Sequence, residues 1–285
     1  MSEPVAADWV GRTLAAEDEV TAAMVEGLRA TLDLAGGRPS PGDEAPAGMH
    51  WLLAPERAPQ RELGPDGHPR RGRFLPPIAL PRRMWAAGAL ELVAPLRVGD
   101  RVRRLSRIAA VSEKTGRSGR LAFVEVDHEI TVAGAPRLRE RQTIVYRDVA
   151  GAPAADAGAA PGDAALAAGD WPWRREVRPD PVLLFRYSAL TFNGHRIHYD
   201  RDHARRVEGY PDLVVHGPLV ATWLLQLCAD GLGGAAPAAF AFRARSPAFV
   251  DQPLALCARP DGAGVALAAF APGGRLVMTA EAGRG

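Results

Sequence analysis

The order of elements in this 285-residue chain predicts an α+β protein built twice on one plan. Three observations carry that reading. In each half, helical periodicity comes first and is followed by about four strand-like segments. Glycine-centred pairs (Gly99-Asp100, Gly116-Arg117, Gly134-Ala135) supply turns between strands of the first half. A low-complexity Ala/Gly/Pro stretch, residues 149–169, separates the halves and reads as an exposed linker. The expected organisation is a first unit over residues 1–150, a linker over 151–170 and a second unit over 171–285.

Taken in order, residues 8–34 read as a short lead-in and a helix. Met24, Leu28 and Leu32 share one face of it, and Gly36-Gly37 ends it. Residues 49–53 form an apolar segment expected as a short buried helix. Residues 55–81 are dense in Pro, Gly and Arg and read as a loop, of a length that is usually functional or disordered. Strands are expected at 84–93, 101–111, 121–132 and 138–147, with the clearest alternation in Val124, Val126, His128 and Ile130. In the second half, residues 182–184 read as an extended lead-in, residues 200–232 as helix-rich, and 238–245, 254–259, 264–270 and 275–282 as strands.

Composition narrows the function. Hydrophobic content of 47% is ample for a core, and a net charge of +2 makes no case for nucleic acid or membranes as partners. No apolar run is long enough to span a bilayer, and the N-terminus lacks a basic-plus-apolar signal. Cys228 and Cys257 sit in apolar surroundings without metal-ligand spacing, as in a reducing compartment, so a cytoplasmic location is expected. The arginines cluster at 70–73 and 101–104, either as solvated faces or as contacts for an anionic carrier.

The most informative stretch is residues 185–225, which holds four of the seven histidines: His195, His198, His203 and His216. It reads Asn193-Gly-His-Arg-Ile-His198-Tyr-Asp200, then Ala204 and Gly209, then His216-Gly217-Pro218 opening an apolar helix. This ordered pattern resembles the signature of the MaoC-like hydratase/dehydratase family. It is most similar to the branch of type 2 hydroxyacyl-thioester dehydratases and of mesaconyl-CoA and itaconyl-CoA hydratases. The resemblance implies a tandem hotdog fold, each unit a curved antiparallel sheet around a long central helix. It also implies a hydro-lyase that adds water across an enoyl thioester, with the first unit shaping the acyl pocket.

Hydration of such a thioester needs a polarised carbonyl, a positioned water and a base of near-neutral pKa. By the resemblance, His198 is the catalytic base and the Gly217 N–H, at a helix start beside His216, faces the thioester oxygen. Asn193 stands where most of the family has aspartate. An amide cannot take a proton, so its expected part is to hold the water. His216 reads either as part of this corner or as a structural cap. Arg196 reads as solvent-facing or as a substrate contact, and Arg243 and Arg245 as contacts for carrier phosphates or a substrate carboxylate. His195 and His198, with His203 or His216, are the candidate metal set. No Cys or Glu joins them at a zinc spacing, so no metal is expected. No cofactor is expected beyond the acyl-CoA or acyl-carrier substrate, and a homo-oligomer is compatible with the chain. The favoured reaction is mesaconyl-CoA or itaconyl-CoA to citramalyl-CoA. The alternatives are a 3-hydroxyacyl-thioester dehydratase of fatty-acid synthesis and a non-catalytic thioester-binding subunit. A single histidine base places the acidic limb of the rate near about 6.5.

Overall fold

The computed structural model describes residues 7–116, 119–148 and 162–283. The first half runs β1 (Thr13–Glu19), α1 (Ala22–Leu32), a buried 3-10 turn (Met49–Leu52), then β2 (Arg82–Leu92), β3 (Arg101–Gly116), β4 (Gly119–Val132) and β5 (Ala135–Arg147). The second runs α2 (Asp163–Ala167), β6 (Trp173–Val177), α3 (Pro181–Leu190), α4 (Gly217–Gly231), β7 (Ala239–Ala244), β8 (Leu254–Asp261), β9 (Gly264–Ala271) and β10 (Arg275–Gly283).

All ten strands join one sheet in the order β1-β3-β4-β5-β2-β7-β10-β9-β8-β6. Every pairing is antiparallel. The order is palindromic. Each half places its first strand at an outer edge and its second at the middle, so the halves meet where β2 pairs with β7. At that seam Gly88 lies opposite Phe242, and a Cβ on Gly88 would come within 2.4 Å of the phenyl ring. A side chain there would wedge the two strands apart.

The core forms around α4. Every residue from Leu219 to Cys228 is buried, so this helix is enclosed rather than laid on one face of the sheet. Strands β6 to β10 surround it. In the first half the corresponding place in the element order, between α1 and β2, is held by the 3-10 turn at Met49–Leu52, all four of whose residues are buried. The N-terminal unit therefore has a much shorter central element. Its longer helix, α1, packs on α3.

Three expectations need revision. Residues 182–184 are helical, not extended: Asp180 caps α3 by accepting the Leu183 N–H at 2.7 Å, and Pro181 fits the first turn, where no donor is required. Two strands, β1 and β6, were not expected; both lie at the sheet edges. Of the expected linker, residues 151–161 lie outside the described residues. Its tail forms α2, where Asp163 Oδ2 accepts the Leu276 N–H at 3.1 Å and ties that turn to β10. Among the described residues no helix is long and apolar enough to cross a membrane.

Leu224, fully buried in the middle of α4, tests the enclosure. Leu224→Ala should destabilise the protein by about 2–5 kcal/mol, because neighbours on all sides cannot collapse into the void. Urea unfolding would show it as a lower midpoint at unchanged slope.

Candidate active site

The site is assembled where the start of α4 meets the turn carrying His198. That turn (Arg196–His198) is short and buried, and it is pinned from both sides. The Val214 N–H donates to the Ile197 carbonyl at 2.9 Å, and His198 Nδ1 lies 2.7 Å from the Val214 carbonyl. A carbonyl only accepts, so Nδ1 carries the proton and Nε2 holds the lone pair. His198 is thus fixed as the tautomer that a base requires. Burial holds its pKa down to about 4, against the upward pull of the Val214 carbonyl.

His216 lies behind His198. The two rings stack at 3.6 Å and 19°, and His216 Nε2 meets Ser188 Oγ at 2.8 Å. His216 is fully buried and does not line the cavity, while Gly217, the first residue of α4, does. The first N–H groups of a helix have no acceptor within it, so Gly217 presents a donor and the positive end of the helix dipole to the cavity.

Asn193 follows Phe192, whose φ of 51° is left-handed and turns the chain sharply out of α3. The Asn193 Oδ1 accepts the His195 N–H at 3.0 Å. That contact fixes the orientation of the amide: one lone pair of its oxygen takes the His195 N–H, and its NH2 group remains to donate. A water held by that NH2 group accepts from it and keeps its own protons for another acceptor.

The other expected residues separate. Arg196 faces away from the cavity: Nε and Nη2 pair with Asp200 at 3.0 and 2.7 Å, and Nη1 donates to the Pro65 carbonyl at 3.0 Å. Arg243 and Arg245 are exposed and do not line it. His203 is buried apart, with its Nε2 3.8 Å from Glu208 Oε1.

The first half also contributes, and the motif gave no sign of it: among its residues are Asp66, His68, Arg83 and Arg104. The loop at 64–68 docks backbone to backbone on the turn at 193–196. The Arg196 N–H donates to the Asp66 carbonyl at 2.9 Å. Gly67, at φ +87°, is so close that a Cβ would come 1.9 Å from the Gly194 oxygen. This docking delivers His68 to the site, its ring 4.1 Å from that of His195, which in turn lies 5.4 Å from the ring of His198. Asp66 Oδ2 receives His68 Nδ1 at 3.1 Å. Burial and the Arg83 charge hold His68 down to about 4. Burial, with the charges of His68, His198 and Arg83, puts His195 well below the ordinary histidine value. Asp66, His68 and His195 offer ligand atoms within 4.8 Å of one another, a set that could accept a metal ion. Its chemistry argues against one: Asp66 is already engaged with His68, and Arg83 places a positive charge beside all three.

One cavity of about 420 Å3 connects these groups. Asn193, His195, His198 and Gly217 line one part, and Trp51, Trp85, Leu75 and Ile144 give it apolar walls. Trp51 and Trp85 meet edge to face at 5.5 Å. Two guanidinium groups, Arg83 and Arg104, also reach it. Arg104 is tied at the inner end, donating from Nε to His128 Nδ1 and from Nη1 to the Leu53 carbonyl, each at 3.3 Å. Sequence signals for this half existed only in the length and composition of the 55–81 loop and in the arginine cluster at 101–104, which contains Arg104.

Known proteins share both the sequence and the fold. The family model for hydroxyacyl-thioester dehydratase type 2 matches residues 48–250. Over 272 residues, 95% of each chain, the sequence is 44% identical to the mesaconyl-C(4)-CoA hydratase of Chloroflexus aurantiacus. A MaoC-like dehydratase from Phytophthora capsici superposes with a TM-score of 0.69 at 12% identity, covering 96% of this chain and 95% of that one. A Mycobacterium tuberculosis protein described as having a double hotdog fold superposes at 0.59 with 14% identity, covering 96% and 95%. The two structural likenesses show the fold, a double hotdog.

Two outcomes test this geometry. Gly67→Ala should lower kcat/KM roughly 100-fold by displacing the docked loop on the order of 1 Å. Gly72→Ala shares the left-handed backbone, at φ +88°, but a Cβ there meets nothing closer than 3.7 Å, and it should keep near-normal activity. The pH profile supplies the second. A base must be neutral to act, so a pKa lowered to about 4 moves the acidic limb of kcat/KM below 6.5, towards acid. At pH 5.5, where an ordinary histidine base would be only about 10% neutral, enzyme that circular dichroism shows to be folded should retain most of its kcat/KM.

Proposed function

The chain belongs to the type 2 hydroxyacyl-thioester dehydratase family, a family of hydro-lyases, and from that premise we propose that it hydrates a dicarboxylic enoyl-CoA of the mesaconyl-C4 type to citramalyl-CoA. One observation carries the choice of substrate. The cavity that joins His198, Asn193 and the start of α4 also contains arginines, whereas a long fatty chain calls for apolar walls throughout. The name of the 44% identical relative points the same way. The reverse reaction, dehydration of a 3-hydroxyacyl thioester, uses the same groups, and the apolar walls at Leu75, Ile144 and Trp85 favour it as the second reading.

The steps follow from the donors and acceptors. The thioester oxygen lies against the Gly217 N–H, which stabilises charge moving onto it. A water accepts from the Asn193 amide and gives a proton to His198 Nε2 as its oxygen bonds to the β-carbon. The electron pair of the double bond moves to the α-carbon and the thioester oxygen, and His198 then returns its proton to the α-carbon. Water and this one base suffice, so we read the reaction as needing no cofactor and no metal. His216 and Ser188 brace His198 without touching substrate. We assign residues 1–150 to shaping the acyl pocket and residues 171–285 to the acid–base chemistry. The two cysteines are both buried, compatible with a reducing, cytoplasmic setting.

Loss of enoyl-thioester absorbance in a panel of acyl-CoAs tests the proposal, and turnover of mesaconyl-C4-CoA well above that of crotonyl-CoA is the expected result. His198→Ala should lower kcat by about 10²–10⁴-fold with a much smaller change in substrate affinity. Asn193→Ala should also lose rate, and Asn193→Asp less, because an oxygen still receives the His195 N–H. Near-normal turnover by His198→Ala would route the proton elsewhere and end the assignment.

A further inference from the structure

Resting on the reading that the acyl group carries a free carboxylate, we propose that Arg83 receives that carboxylate and selects dicarboxylic substrates. Arg82 and Arg83 are neighbours on β2, and the two meet different surroundings. Arg82 is buried and committed: its Nε lies 3.3 Å from Glu208 Oε2, and it also donates to the Glu208 carbonyl. Arg83 lines the same cavity as Asn193, His195, His198 and Gly217. Among the described residues no carboxylate oxygen comes within 4.0 Å of its guanidinium. Asp66, the acid whose charge it feels, spends Oδ1 on the His68 N–H and Oδ2 on His68 Nδ1, both at 3.1 Å. A partly buried cation whose neighbouring acid, Asp66, is already spent on His68 is under-compensated, and an arriving carboxylate relieves that cost. Guanidinium is also the donor whose planar fork matches a carboxylate.

Position favours Arg83 over the other arginines. In an enoyl thioester with the acid group on C3, the carboxylate carbon lies roughly 4 Å from the thioester carbonyl carbon by ordinary bond lengths. Its cation must therefore stand beside the reacting atoms. Arg83 lines that cavity on the His195 side, close enough for its charge to act on both His195 and His68. Arg104 lies with Gln142 and Ile144, bonded to His128 and the Leu53 carbonyl and drawn by the charge of Glu140. Arg196 is occupied by Asp200 and Pro65.

The test is the ratio of kcat/KM for mesaconyl-C4-CoA to that for crotonyl-CoA, which carries a methyl group where the former has its carboxylate. In Arg83→Met this ratio should fall about ten- to a hundred-fold, the range expected for a lost charged hydrogen bond. Arg83→Lys, which keeps the charge but not the fork, should recover part of it. This variant also keeps the test usable if Arg83→Met folds poorly. Arg104→Met should change both substrates alike and leave the ratio within about threefold of wild type. A wild-type ratio near one would end the dicarboxylate reading itself. A high wild-type ratio that survives Arg83→Met overturns the assignment of Arg83 alone. An equal loss on both substrates in Arg83→Met also overturns it, assigning Arg83 to the carrier or to folding.

Discussion

The constraint from which the rest of this structure follows is the enclosure of α4. A helix buried without a break from Leu219 to Cys228 has no face for solvent, and the strands must curl around it. Its side of the ledger is apolar, but its N-terminus is not. The first N–H groups need acceptors that the helix does not provide, and burying them unmatched would cost several kcal/mol. The cavity at Gly217 resolves this by opening the helix end to water or to a substrate oxygen. The same enclosure places His216 under His198 and Val214 within reach of His198 Nδ1, so packing alone selects the tautomer with a free Nε2.

The electrostatics follow from dryness. His195, His198 and His216 occupy contiguous ring contacts with His68, all held below their ordinary pKa chiefly by burial. A histidine that is neutral in the fold but charges readily when unfolded favours the fold above about 6.5. That contribution is lost as pH falls from there towards the folded value, about 4 for His68 and His198. The same burial that keeps His198 neutral therefore makes the protein sensitive to acid.

Much of this was legible in the amino-acid order. The eight inner strands and the helix opened by His216-Gly217 could be read from apolar patterning and turn residues, whereas the pairing of two similar halves was read from the order of elements together with the family resemblance, not from periodicity. The edge strands β1 and β6 could not. An edge strand such as Thr13-Leu-Ala-Ala-Glu-Asp-Glu19 has no buried residue and so no apolar alternation to detect. Residues 182–184 misled because a short apolar run fits helix and strand equally, and only the preceding Asp180-Pro181 marks a helix start. His68, with Asp66 behind it, Arg83 and Arg104 come to the cavity by tertiary docking, for which a single sequence carries no period. Arg196 illustrates the converse. It lies inside the motif, yet its guanidinium serves to hold the 64–68 loop through the Pro65 carbonyl.

The seam between β2 and β7 has a consequence for how such a chain can change over time. Two half-sheets joined within one polypeptide meet at a local concentration fixed by the connection, so dilution cannot part them and assembly imposes no symmetry on the halves. On the proposed reaction, only one half has to keep a proton-transfer turn. The other, with its central helix reduced to Met49–Leu52 and its 55–81 loop extended over the cavity, is free to drift in length and charge. Substrate range can then diversify on one side of the seam while the chemistry on the other side stays under constraint.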